Sequence, residues 1–175
     1  YSQHLDEVES VQDEQRSLMP FLVNELHIKA VDIEGLMLND VEAFKKRAAK
    51  VKRARVSDSD DPIDLLFAGI VRRDKLMLGI AGQMSADGKL EVLPSEDRKA
   101  FEAANPVEAD GTVNLDGVNN ESRESAIVRN MLQAGPVSFI VLGSAHNLAD
   151  NVSDGCEYVR IETKRVAELS RIHHE

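Results

Sequence analysis

Cysteine occurs once in this chain, tryptophan not at all, and no apolar run is long enough to cross a bilayer. The lone Cys156 cannot form an internal disulfide, so nothing demands an oxidising compartment, and a cytoplasmic location is favoured. With aromatic residues at only 4%, the core must be built from aliphatic side chains. No stretch approaches the ~18 apolar residues of a spanning helix, and the first residues are polar and acidic, unlike a signal peptide; no membrane span is expected. Positive charge is also scarce. Lys and Arg number 21 against 31 Asp and Glu, and the formal charge of −10 excludes the broad basic surface that nucleic acid requires. The exception is "KKRAAKVKRAR" at 45–55, which holds seven of the 21 basic residues and runs into the acidic "SDSDDPID". It reads as a solvated helix end favoured by the helix dipole, ahead of a small anion-binding patch.

What is present suits one α/β domain over 1–175, since 175 residues support one sizeable core. Leu5, Val8, Val11, Leu18, Leu22 and Leu26 form a helical stripe, with Pro20 predicting a kink or break near Ser17–Met19. "HIKAVDIEGL" reads as a strand closing in a turn at Glu34–Gly35, and Asn39 or Asp40 caps a helix through "VEAFKKRAAKVKRA". "PIDLLFAGIVRR" reads as a short helix and "KLMLGIAG" at 75–82 as a core strand, followed by a turn at Asp87–Gly88 and a small strand. Ser95 is the expected cap of a helix in "SEDRKAFEAAN", and 105–120 is an irregular loop. A helix from Asn120 to Gly135 precedes "VSFIVLGS", the clearest buried strand; "HNLADNV" gives a helical turn, "CEYVRIETK" a last strand and "RVAELSRIHHE" a terminal helix. Helices between apolar strands predict a mainly parallel central sheet flanked by helices.

In such sheets ligands bind beyond the carboxyl ends of the strands. The pattern alone puts two groups there, Glu34 after "VDI" and His146 after "FIVLGSA", where Gly143, Ser144 and Ala145 let a ligand approach the backbone. The plainer readings are that Glu34 caps a following helix and that His146 sits in an ordinary turn. His173 and His174 read as solvated tail residues. Cys156 reads as a buried inert thiol, and "LGSAH" lacks the Gly-x-Ser-x-Gly elbow that would make Ser144 a nucleophile.

The segments "ESAIVRNML…GPVSFIVLGSAHNLAD" and "VQDEQRSLMPFLVNELHIKAVDIEGL" resemble the Tiki/TraB proteins and their relatives, the erythromycin esterase-like and ChaN-like proteins. In that pattern a helix carries an Arg-Asn pair, a following strand ends in Gly-x-x-His, and an earlier strand ends in Glu. The matching residues are Arg129, Asn130, Gly143, His146 and Glu34. The resemblance implies an α/β fold with a polar pocket at the strand ends, used in different relatives for metal-dependent proteolysis, lactone ester hydrolysis or haem binding. It assigns Glu34 and His146 to a divalent metal ion or to water activation, Arg129 to a developing oxyanion or substrate carboxylate, and Asn130 and Gly143 to substrate binding.

Family members also open with a strand ending in a histidine turn before the first long helix. Only three residues precede His4 here, so the expectation is either an N-terminally truncated portion or a relative that has lost this strand. The leading expectation is therefore a metal-assisted hydrolase of a peptide or small-molecule ester. Its alternatives are a haem-binding or other ligand-binding module, and a catalytically silent interaction protein that forms a homodimer through an open edge strand.

Overall fold

The structure, a computed structural model, describes residues 2–107, 110–114, 120–143 and 146–172. It is an α/β structure whose chain divides into two compact units, one of residues 1–29, 42–92 and 162–175, the other of residues 30–41 and 93–161.

The first unit is helical. Helix α1 runs from Ser2 to Glu25 without a break at Pro20. Met19 and Val23 on either side of the proline are buried, so packing holds this turn together despite the missing N–H. His27 caps the end in the left-handed region (φ +54°), and its neighbour Ile28 donates to the Val23 carbonyl. Helix α2 spans Val41–Arg53, its basic end matching the helix dipole. Helix α3 covers Pro62–Ala86 and absorbs both the expected short helix and the expected strand at 75–82. An apolar run this short has no distinguishing period, and burial of Leu76, Leu78, Ile80, Ala81 and Met84 is met by helix as well as by strand. Asp61 accepts from the Ile63 amide to cap α3, Pro62 takes the first turn, and Gly79 (φ +62°) kinks it. Helix α6, Lys164–Ile172, packs on α1, where Glu14 accepts from the Arg165 amide.

The second unit is built on a three-stranded parallel sheet. Strand β1 is Ala30–Met37, β2 is Glu91–Glu96 and β3 is Ile140–Val141, in the order β2-β1-β3. Asp32 and Ile33 pair with Ile140 and Val141. On the other side Ser95 Oγ donates to the Ile33 carbonyl and the Gly35 amide to Glu96, so numbers rise together. Ser95 is thus a buried strand residue, and the cap of the next helix, α4 (Arg98–Ala103), is Asp97. Gly35 does not end β1: at φ +77° it bends the strand, which continues to Met37.

Helix α5, Asn120–Ala134, lays Ile127 and Val128 into a core with Leu148, Met131, Ile140, Leu142, Val152 and Tyr158. The strand expected over "VSFIVLGS" is ladder-paired only at β3, and "HNLADNV" closes in a 3-10 turn at Ala149–Asn151. "CEYVRIETK" is irregular up to the start of α6: Val159 and Ile161 are exposed, so no buried face recruits it into the sheet. In the 105–120 stretch the described residues are irregular except for a bridge between Val107 and Val113 and for Asn120, which opens α5. Ser144, Ala145, His173, His174 and the rest of that stretch lie outside the described residues.

Candidate functional site

All three strands of the second unit deliver a polar group near their carboxyl ends: Glu34 from β1, Glu96 from β2, and His146 five residues beyond β3. Helix α5 supplies two more, Arg123 and Glu124, from its first turns. The expected pair is in contact, with His146 Nε2 3.1 Å from Glu34 Oε1. Arg123 holds them together: its Nη2 donates to Glu34 Oε1 at 3.1 Å and its Nη1 lies 3.2 Å from His146 Nε2.

Arg123 is anchored from below by Glu96. Its Nη2 donates to Glu96 Oε1 at 2.5 Å and its Nε reaches both carboxylate oxygens at 3.2 Å. The Gly35 amide also donates to Glu96 Oε1, at 3.1 Å. Hydrogen bonding to Glu96 raises the Arg123 guanidinium above its ordinary value, against the opposing effect of burial. The guanidinium stacks over the Phe101 ring, 4.9 Å from its centroid, which adds a cation–π contact.

His146 is buried and fixed on its other edge. Nδ1 lies 2.9 Å from Glu124 Oε1, and the carbonyl of His146 accepts from Arg160 Nη1 at 2.9 Å. Gly143 donates its amide to Glu34 Oε2, and a Cβ there would stand 2.9 Å from that same oxygen, so only glycine permits this approach without moving the carboxylate. Asp32, on the face of β1 shared with Glu34, is buried, and desolvation pushes its carboxyl from 3.8 up to about 6.

Glu34, His146 and Gly143 are therefore brought together, whereas Arg129 is not. It is exposed and makes no hydrogen bond or ion pair among the described residues. Six residues separate it from Arg123, which at about 100° per residue puts it about 120° around the helix. Arg123, Ile127 and Asn130 share the inward face. Asn130 is spent on structure, since Nδ2 donates to the Ser95 carbonyl at 2.9 Å and ties α5 to β2. Glu96, Arg123 and Glu124 escaped sequence reasoning. The signal for Glu96 was available, because "LEVLPSE" is an apolar run ending in a carboxylate, as "VDIE" is. Cys156 is exposed, with Ser153 Oγ 3.8 Å from its sulfur, and its expected burial is corrected.

The donor set does not fit a resident divalent ion. Among the described residues no group of three or more His, Cys, Asp or Glu side chains could hold a metal. The two expected ligands, Glu34 and His146, both face the guanidinium of Arg123, a fixed positive charge where a cation would have to lie. Two open grooves of about 610 and 540 Å³ lie in the first unit, lined by residues such as Lys29, Lys45 and Lys89, or Lys46, Lys50 and Phe67. The cluster can instead move protons. Nε2 has an acceptor, Glu34, and a donor, Arg123, at nearly equal distance, so it has a partner whether or not it carries a proton.

Comparison with protein-family models, with curated protein sequences and with solved structures returned no match for this chain.

Proposed function

We propose that the cluster is a hydrolytic acid–base site for a peptide or small-molecule ester bond, working through side chains without a resident metal. The observation that carries this reading is the double partnership of His146: Nδ1 on Glu124 at 2.9 Å and Nε2 on Glu34 at 3.1 Å. Glu34 is the most exposed carboxylate of the three around Arg123 and His146, so it is the one that water reaches. Its Oε1 takes a proton from water as the oxygen attacks the carbonyl carbon. His146, protonated on both ring nitrogens, gives the Nε2 proton to the leaving amine or alkoxide. The proton on Glu34 then returns to Nε2 across the contact between them, and both groups are restored. Glu124 positions the ring, and the charge of Arg123 offsets the negative oxygen of the tetrahedral intermediate.

The test is hydrolysis of a panel of peptides, esters and lactones by the full chain with a chelator present. Glu34→Gln and His146→Gln are each expected to lower kcat by about 10²–10⁴-fold. Glu124→Gln, which removes the anion beside Nδ1 of the general acid, is expected to move the alkaline limb of the pH profile. Activity that disappears in chelator and returns with a divalent ion overturns the metal-free reading, and activity untouched by both substitutions overturns the site.

A further inference from the structure

The cations of helix α2 in the first unit sort into two kinds. Lys45 meets Glu42 and Glu91 at 4.0 and 3.9 Å, Arg47 bonds Asp74 at 2.7 Å, and Lys52 meets Asp87 at 3.0 Å. Lys46, Lys50 and Arg53 are exposed and make no hydrogen bond or ion pair among the described residues. Lys50 exerts only a coulombic pull on Asp74, which Arg47 already holds. At about 100° per residue the three unpaired cations fall within an arc of about 60°, spaced about 6 and 4.5 Å along the helix axis. All three line one groove of about 540 Å³ together with Phe67 of α3 and the small residues Ala49 and Ala54. That volume is within the range of small-ligand sites, about 300–1,000 Å³. Phe67 is 44% exposed, and among the described residues no cation stacks on its ring. The other groove of this unit differs, because Glu91 stands in its wall and faces Lys45.

We propose that this groove binds a nucleoside triphosphate, its phosphates on Lys46, Lys50 and Arg53 and its base on Phe67. Charge selects an anion, since three cations without a carboxylate partner share one lining. The aromatic ring selects a planar group attached to that anion, because stacking is available to any base and needs no hydrogen-bond code. Extent selects a small ligand over a nucleic acid strand. The chain turns acidic just past Arg53, with Asp58, Asp60, Asp61 and Asp64, and carries −10 overall, so a polyanion longer than the groove meets repulsion at once. Asp58 and Asp60 make no ion pair with the three cations, which leaves the groove open to a ligand.

Titration calorimetry of the full chain with adenosine triphosphate, inorganic triphosphate and a short oligothymidylate, in chelator, tests this. Wild type is expected to bind adenosine triphosphate saturably with Kd below about 1 mM, and more weakly as salt is raised. Lys46→Gln/Lys50→Gln/Arg53→Gln is expected to weaken that binding roughly tenfold or more. Lys45→Gln/Lys52→Gln, which removes paired cations of the same helix, is expected to leave it within about threefold of wild type. Phe67→Ala is expected to weaken adenosine triphosphate by about fivefold or more and to leave inorganic triphosphate unchanged. All of these positions are at the surface, so the circular dichroism spectrum should be that of wild type in each variant. The proposal is overturned by a wild type that does not bind adenosine triphosphate, by equal losses in the two sets of cation variants, or by affinity indifferent to Phe67. Tighter binding of the oligothymidylate than of adenosine triphosphate overturns it in favour of a nucleic acid strand.

Discussion

Two arginines in this chain each hold two carboxylates, one in each unit, and their surroundings differ. Arg72 on α3 bonds Asp6 and Glu9 of α1 with its side chain 41% exposed and its partners 63% and 43% exposed. Arg123 on α5 bonds Glu96 and Glu34 with its side chain 12% exposed and Glu96 at 0%. The bonding patterns are alike, yet water shares the charge of the first, whereas in the second it reaches Glu34 in part and Glu96 not at all. An exposed pair is screened and contributes little to folding, while a buried one is costly to break because the surviving charge is left without solvent. The sheet unit has therefore placed charge where it is expensive, and the residues involved are those that surround His146.

The largest effect should come from breaking the buried pair on one side. Glu96→Ala leaves Arg123 over Phe101 with only Glu34 to balance it, and is expected to cost about 3 kcal/mol in chemical denaturation. Replacing both partners, as in Glu96→Leu/Arg123→Met, removes the orphaned charge and should cost clearly less than the sum of the two single changes. If the double variant is as unstable as that sum, the two groups do not act as a pair, and the contrast with Arg72 loses its basis.

A second, smaller effect belongs to Asp32, on the same strand as Glu34. Burial raises its carboxyl from 3.8 to about 6, so the folded protein holds that proton more tightly than the unfolded chain does. Its favourable contribution is complete below about pH 3.8 and is lost as pH rises through about 6. Asp32→Asn, which never ionises, should therefore be more stable than wild type above pH 6, by roughly 2 kcal/mol after allowance for solvent screening, with the difference closing near pH 4. Urea midpoints at pH 4, 5, 6 and 7 measure it, and a difference independent of pH would show that burial does not act on the ionised form.

How much of this was legible from the amino-acid order follows from the range of each interaction. Glu34 and His146 each stand just after an apolar run, and the strand-end rule for parallel sheets is enough to bring them together. Arg129 has the right spacing in sequence but the wrong phase on α5, and phase is set by which face Ala126, Ile127 and Val128 bury. Arg123 is chosen by that tertiary decision. Likewise "KLMLGIAG" has the composition of a strand and becomes helix because α1 offers a face to pack on, and "CEYVRIETK" has strand formers but stays outside the sheet. Local propensity is weak against packing over such short stretches.

The smallest effect is the one that completes the comparison. Arg72→Ala removes three hydrogen bonds to Asp6 and Glu9, against four to carboxylates at Arg123. The bonds raise the Arg72 guanidinium above its ordinary value, Asp6 contributing first and Glu9 second, but the group stays in contact with water in both folded and unfolded chains. Its solvation is therefore nearly unchanged by folding, and the released carboxylates are rehydrated at once. The variant should unfold within the scatter of ordinary surface substitutions, and the coupling between Arg72 and Glu9 in a double-mutant cycle should fade as salt is raised toward about 1 M, where the Debye length falls to about 3 Å. The coupling between Glu96 and Arg123 should survive the same salt. Equal salt sensitivity at the two arginines would mean that water reaches both alike, and burial would no longer distinguish them.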